Sequence, residues 1–241
     1  MCGIVGYIGK EQAAPILLEG LARLEYRGYD SAGICVAENG MLDIAKCKGR
    51  LANLAEKTAH GALMHGTVGI GHTRWATHGE PNDINSHPHL SQNGKIALVH
   101  NGIIENYGEL KSFLMGKGVS FLSDTDTEVV AHLIEKNYHG DFLAAVRAAI
   151  ALLEGSYALG VLCAEHPDEI VAVRRSSPLI VGLSEEGNFI ASDIPAVLAH
   201  TRRILQLADG EVVCLTRDGA RVLDEGGRPV EKKEKSEAKR S

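Results

Sequence analysis

Positive charge is scarce in this 241-residue chain. Its 25 Lys and Arg stand against 31 Asp and Glu, a net charge of −6. A polyanion needs the reverse, clustered cations along its phosphates, so no nucleic acid partner is expected. Long hydrophobic runs are missing too. None approaches the roughly 18–20 apolar residues of a bilayer-spanning helix, and no basic stretch followed by an apolar one opens the chain as a secretory signal would. No membrane role and a cytoplasmic location are therefore expected. Cysteine is sparse at five. No two share the close spacing of a zinc or redox motif, and an odd number cannot all pair internally. Cys35, Cys163 and Cys214 lie in apolar, strand-like contexts. Cys47 lies between Lys46 and Lys48, neighbours able to lower its pKa, although the plainer reading is a surface strand position. Despite 27 glycines there is neither a Walker loop nor a strand-to-helix Gly-x-Gly-x-x-Gly in proper context. His72, His78, His87, His89 and His100 crowd one stretch, but no carboxylate or cysteine completes a ligand pattern. Neither a metal nor any cofactor is expected.

What is present suits one large globular domain. Short β-branched or alternating runs predict strands at 4–8, 32–37, 42–47, 68–73, 96–100, 157–163, 170–173, 179–182, 188–191, 204–207, 211–215 and 221–223. Turns of hairpin size, such as Glu38-Asn39-Gly40 and Glu185-Glu186-Gly187, join many of them. Helical periodicity aligns Leu17, Leu21 and Leu24 within 11–24, Leu110, Phe113 and Leu114 within 105–117, and Val129, Val130, Leu133 and Ile134 in the next segment; a further helix is predicted over 141–153. Many hairpins and few crossover helices predict an α+β fold of antiparallel sheets covered by helices. From Glu231 onward lysines alternate with glutamates and no apolar residue exceeds alanine. Such a segment cannot offset its ordering entropy by burial, so a domain over 1–230 and a mobile charged linker or tail over 231–241 are expected.

The second residue is a cysteine, in the strand-like run Met1-Cys2-Gly3-Ile4-Val5-Gly6. Once Met1 is trimmed, thiol and α-amine belong to one residue. An α-amine titrates at roughly 7.7–8.0 and a thiol at about 8.5, so the amine can accept the thiol proton near neutrality. Gly3 leaves out a side chain where a substrate would approach. An ordinary buried cysteine on an N-terminal strand fits these six residues equally well.

Four further clusters carry chemistry. The segment 24–33, Leu-Glu-Tyr-Arg-Gly-Tyr-Asp-Ser-Ala-Gly, reads as a helix end, a turn and a strand start. The segment 71–81 places the only tryptophan, Trp75, beside Arg74 and runs on through Thr77 and His78 to loop signals at Gly79 and Pro81. Arg74 offers a planar fork to a carboxylate and the indole a large movable cover; a structural salt bridge in a packed loop is the alternative. Val99-His100-Asn101-Gly102 reads as a strand entering a turn. The Asn101 amide and the Gly102 N–H can converge on one oxygen, as an oxyanion hole requires, yet Asn-Gly is also a common hairpin turn. Asp124-Thr125-Asp126-Thr127-Glu128 opens a helix, with Thr125 and Glu128 spaced as a capping box. Asp126 there either favours the helix dipole or holds a substrate ammonium.

Together, and in this order, Met1-Cys2-Gly3-Ile4, Arg27-Gly28-Tyr29-Asp30-Ser31-Ala32-Gly33, His72-Thr73-Arg74-Trp75-Ala76-Thr77-His78-Gly79, His100-Asn101-Gly102 and Thr125-Asp126-Thr127-Glu128 resemble the glutaminase half of the class II, N-terminal-nucleophile glutamine amidotransferases. The wording at 24–29 and the Arg74-Trp75 pair are similar to the branch that aminates fructose 6-phosphate. The resemblance implies a four-layer αββα sandwich of two antiparallel sheets. It implies that Cys2 attacks the side-chain amide of L-glutamine to give a glutamyl thioester, with Asn101 and Gly102 holding the oxyanion. Arg74 would take the substrate carboxylate, with Thr77 and His78 nearby, Asp126 the ammonium, and Trp75 would sit on a loop closing over the substrate. The ammonia would serve a sugar-phosphate isomerase domain of a longer parent chain, a homo-oligomer, from which the isolated domain would be monomeric. A glutaminase feeding another synthase, and a glutamine-sensing module without chemistry, remain as alternatives.

Overall fold

The computed structural model describes residues 2–27, 29–75 and 79–237. In chain order the strands are β1 (Gly3–Gly9), β2 (Ser31–Glu38), β3 (Met41–Lys48), β4 (Val68–Arg74), β5 (His89–Leu90), β6 (Ile96–Ile104), β7 (Gly155–Cys163) and β8 (Ile170–Arg175). They continue as β9 (Ile180–Leu183), β10 (Gly187–Ala191), β11 (Arg203–Gln206), β12 (Val212–Leu215), β13 (Ala220–Leu223), β14 (Pro229–Val230) and β15 (Lys235–Ser236). The helices are α1 (Ala13–Ala22), α2 (Leu51–Lys57), α3 (Tyr107–Met115), α4 (Glu128–Asn137) and α5 (Phe142–Ile150).

All strand pairing is antiparallel. An eight-stranded sheet runs β15-β11-β9-β10-β1-β4-β2-β3 and a seven-stranded one β14-β13-β12-β8-β7-β6-β5. Side chains alternate across each strand, and β1 shows the consequence. Ile4 and Ile8 join Ile70, Val99, Leu162 and Val181 between the sheets. Val5 and Tyr7 join Leu17, Leu21 and Leu54 beneath α1 and α2. On the opposite side α3, α4 and α5 cover the second sheet, where Leu114, Leu133 and Val146 meet Leu98, Leu159 and Val171. The result is the α+β, four-layer αββα sandwich that the resemblance implies. Each fully buried aliphatic side chain contributes about 1.5–3 kcal/mol, whereas a helix cap contributes about 1 kcal/mol. Among the five described α-helices only α5 has a side-chain N-cap bond, Asp141 accepting from the Ala144 N–H at 3.0 Å. Packing, not capping, holds the helices. None of the described helices is long and apolar enough to cross a membrane.

Three expectations need correction. The strand at 96–100 does not turn at Asn101-Gly102. β6 continues to Ile104, pairing Asn101 with Ala158 and Gly102 with Tyr157. Gly102 has φ +121°, and a Cβ there would lie 2.2 Å from the Ser156 carbonyl oxygen, so glycine is what lets the strand run on. The capping box does not form: Thr127 is the N-cap residue of α4 and makes no side-chain cap bond. The Glu128 carboxylate instead turns back to accept from the N–H groups of Leu122 and Ser123 at 2.9 and 2.6 Å. Cys47 is a half-buried strand position in β3, its plainer reading, and burial is the larger influence that pushes its thiol up.

The segment after Val230 is not loose as far as residue 237. β14 closes one edge of the seven-stranded sheet and β15 pairs with β11 at the edge of the other. The Glu234 carboxylate accepts two bonds from Arg203, both 2.8 Å, and Lys232 meets Glu211 at 2.7 Å. An open sheet edge supplies the backbone partners that composition could not reveal.

Candidate active site

β1 and β4 pair with Gly3 opposite Thr73, which sets Cys2 beside Arg74 and Trp75. The Trp75 N–H donates to Cys2 Sγ at 3.2 Å, and the thiol lies 3.5 Å from the Trp75 carbonyl oxygen. Gly3 serves packing: a Cβ there would come within 2.8 Å of Thr73 Oγ1 and 3.0 Å of Leu24. From the facing sheet the Asn101 Nδ2 donates to the Cys2 carbonyl oxygen at 3.1 Å. The Cys2 thiol and the Asn101 amide therefore come from the two central layers, at a cavity of about 450 Å³. Burial raises the Cys2 thiol pKa, opposed by the Trp75 N–H and by the positive charges of the N-terminus and Arg74. A thiol so held stays protonated until a base takes its proton.

Among the described residues the cavity carries one cation and one anion on its walls. Arg74 is buried, its guanidinium donating to the Gly79 and Glu80 carbonyl oxygens at 3.0 and 3.5 Å. Asp126 is also buried, and its Oδ2 accepts from the Ile104 N–H at 2.8 Å. That bond ties the loop before α4 to the end of β6. Opposite charges on one small cavity suit a zwitterion such as a free amino acid. Trp75 stands at the rim, 54% exposed. Thus Cys2, Arg74, Trp75, Asn101, Gly102 and Asp126 all line one cavity. Thr77, His78 and Met1 lie outside the described residues.

Sequence reasoning missed Ser192. Its Oγ accepts from the Ile4 N–H at 2.9 Å while its own N–H donates to the Ile4 carbonyl oxygen at 3.0 Å, a two-way clamp on the start of β1. Nothing in Ala191-Ser192-Asp193 distinguishes it from an ordinary turn. Tyr29, singled out by its motif, lies away from the cavity: its hydroxyl bonds Glu25 and accepts from the Leu51 N–H at 3.2 Å. Its work is to hold the start of α2.

Four of the crowded histidines, His72, His87, His89 and His100, form a buried cluster. The His72 and His87 rings stack at 4.1 Å with planes 11° apart, and His87 meets His89 edge-on at 4.8 Å. No group of three or more His, Cys, Asp and Glu among the described residues is arranged to hold a metal ion. Burial, the leading cause in all four, lowers His72 to about 3, His87 and His89 well below the ordinary value of 6.5, and His100 also below it. An acid instability follows. Unfolded, these rings bind protons as pH falls through about 6.5, whereas folded they resist protonation until the pH is far lower. The unfolded state then holds more protons, and stability falls by up to about 1.4 kcal/mol per pH unit for each ring. Urea midpoints should be level above pH 7 and drop steadily from pH 6.5 to 5. A midpoint unchanged down to pH 5 would mean that the rings already carry protons in the fold.

The model of the glutamine amidotransferase domain matches residues 57–216. The protein of Clostridium tetani named glutamine–fructose-6-phosphate aminotransferase (isomerizing) is 60% identical over 232 residues, which are 96% of this chain and 38% of that one. A Thermus thermophilus protein of the same name is 56% identical over the same span. The chain thus spans well under half the length of these curated relatives. Among solved structures, glutamine phosphoribosylpyrophosphate amidotransferase from B. subtilis superposes with a TM-score of 0.81 at 28% identity, over 92% of this chain and 49% of that one. A class-II glutamine aminotransferase domain protein from Silicibacter pomeroyi, 16% identical with a TM-score of 0.65, covers 92% of this chain and 99% of its own and shares the fold.

Proposed function

The chain belongs to the glutamine amidotransferase domain family, and on that footing we propose that it hydrolyses L-glutamine to glutamate and ammonia through a thioester on Cys2. The observation that carries the reading is the single cavity lined by Cys2 and by Asn101, whose amide donates to the Cys2 carbonyl oxygen, between a buried Arg74 and a buried Asp126. Arg74 takes the α-carboxylate and Asp126 the α-ammonium, which sets the side-chain amide against the thiol. The α-amine of Cys2, freed by loss of Met1, accepts the thiol proton. Sulfur bonds to the amide carbon, and the negative oxygen that forms is met by Asn101 Nδ2 and the Gly102 N–H. The proton passes to the departing nitrogen, ammonia leaves, and water then cleaves the thioester. Thr77 and His78 assist Arg74 in binding the substrate carboxylate, and Trp75 closes over the substrate.

The ammonia serves conversion of fructose 6-phosphate to glucosamine 6-phosphate by a sugar-phosphate isomerase domain of a longer, homo-oligomeric parent chain in the cytoplasm. Residues 1–230 with the docked strand β15 make up the glutaminase domain, and the chain after them leads toward that second domain. The names and the length of the relatives support this assignment. The deciding assay is release of glutamate and ammonia from glutamine in equal amounts. No release from a chain lacking Met1 would leave a glutamine-binding module.

Charge-assisted hydrogen bonds contribute about 1.5–3 kcal/mol each, so truncating either reader should weaken glutamine binding roughly 10- to 100-fold by the same scale. Arg74→Ala should lose its preference for glutamine over a carboxyl-amidated analogue, and Asp126→Ala its preference over a deaminated one. Competition assays with the two analogues read this directly. If Asp126→Ala only lowers the melting temperature and discrimination survives, its bond to Ile104 is its whole role.

A further inference from the structure

Asn101 is useful to an oxyanion only if its carboxamide points the right way round. The two ends of that group differ by one atom type, and a 180° flip would present lone pairs to the developing charge in place of N–H bonds. The surroundings of Asn101 decide the orientation. On one side stands the Cys2 carbonyl oxygen, at 3.1 Å; a carbonyl oxygen only accepts, so the atom facing it must be Nδ2. On the other side stands His72, whose Nε2 lies 3.0 Å from Asn101 Oδ1 and 3.0 Å from the His100 carbonyl oxygen. Both neighbours are acceptors. The ring must carry its proton on Nε2, leaving Nδ1 as a bare lone pair, and Nδ1 is buried with no hydrogen-bond partner.

We propose that His72 is the positioning residue for Asn101: its Nε2–H, given to Oδ1, locks the carboxamide with Nδ2 toward the Cys2 backbone. A flipped amide would set its NH2 against the Nε2–H and its oxygen against the Cys2 carbonyl, so both contacts would turn repulsive. His72 is in turn held by a neighbour with a fixed proton. His87, stacked on it, accepts the His100 N–H on Nδ1 at 3.2 Å, which leaves its proton on Nε2. His100 places Nε2 3.5 Å from the Ser156 carbonyl oxygen and Nδ1 2.9 Å from the Thr127 hydroxyl oxygen. His72 and His87 therefore each carry a single proton, on Nε2, and are neutral. This inference rests on the assignment of Asn101 as oxyanion donor, and it gives the stretch of histidines a purpose other than metal binding.

The test is a double-mutant cycle with a spectroscopic arm. His72→Phe should lower kcat by about 10²-fold, approaching the loss of the donor itself, with KM changed less than threefold, and His72→Gln, which keeps an N–H donor, should recover most of it. In the Asn101→Ala background His72→Phe should cost less than threefold more, because there is no amide left to orient. An equal loss in both backgrounds, or equal losses for Phe and Gln, would mean that His72 only packs the core. Long-range ¹H–¹⁵N spectra of the wild-type protein read the tautomer without any turnover. They should show His72 neutral with its proton on Nε2; a proton on Nδ1, or on both nitrogens, overturns the proposal even if a variant fails to fold. If the wild-type chain releases no ammonia yet shows the Nε2 tautomer, the glutaminase assignment has failed and the orienting contact stands.

Discussion

Cys2→Ala is expected to abolish glutamate and ammonia release while leaving the fold and glutamine binding in place. Loss of a covalent nucleophile costs on the order of 10⁶ in turnover in a well-studied hydrolase. No second thiol is placed to substitute. Cys35 is fully buried with its pKa pushed far up, and Cys214, pushed up to about 12 by burial and by Glu169, donates to that carboxylate at 2.9 Å. Cys163 is buried in the core beneath α4 and α5. The fold should tolerate the change, since among the described residues the Cys2 side chain contributes polar contacts only with the Trp75 backbone, and the β1 clamp runs through Ser192 and Ile4. Coupled glutamate detection together with calorimetric glutamine binding reads both halves. Activity above about one part in a hundred of wild type, a level far beyond the loss expected for a nucleophile, would remove Cys2 from the chemistry.

Asn101→Ala is expected to lower kcat by ~10²–10³, or about 2.7–4 kcal/mol, the usual cost of one oxyanion donor. KM should move little, because the charge it meets develops only in the transition state. The structure adds a reason to expect a clean result. Asn101 sits inside β6, with its backbone paired to β7, so alanine keeps the strand while the bond to the Cys2 carbonyl is lost. A change confined to KM would mean that the amide serves only as a strut between the sheets.

Much of this was legible in the chain. The β-branched runs and the hairpin turns gave most of the strands, because side-chain alternation is imposed locally by the pleat. The site residues were legible as a set, in order, more than singly. What escaped depends on partners far away in sequence. Asn101-Gly102 reads as a turn by local propensity, and only its pairing with β7 keeps it extended. α2 spans seven residues with two buried leucines, Leu51 and Leu54, too short for a helical period to show. Glu128 has the spacing of a capping box, but the buried His132 ring and the Ser123 hydroxyl compete for its carboxylate at 3.0 and 2.5 Å. The charge run after Glu231 looks solvated until an edge strand, β11, offers it a ladder. The Ser192 clamp joins residues 188 apart, beyond the reach of any local pattern.

The central claim is that the thiol and the α-amine of one residue do the chemistry. The most direct measurement is intact mass, then peptide mapping, of the chain treated with a glutamine analogue bearing an electrophile. One adduct is expected, on a peptide that begins with Cys2, and protection by excess glutamine is expected with it. An adduct on Cys47, or labelling of chains that still carry Met1 as readily as those that have lost it, would contradict the account.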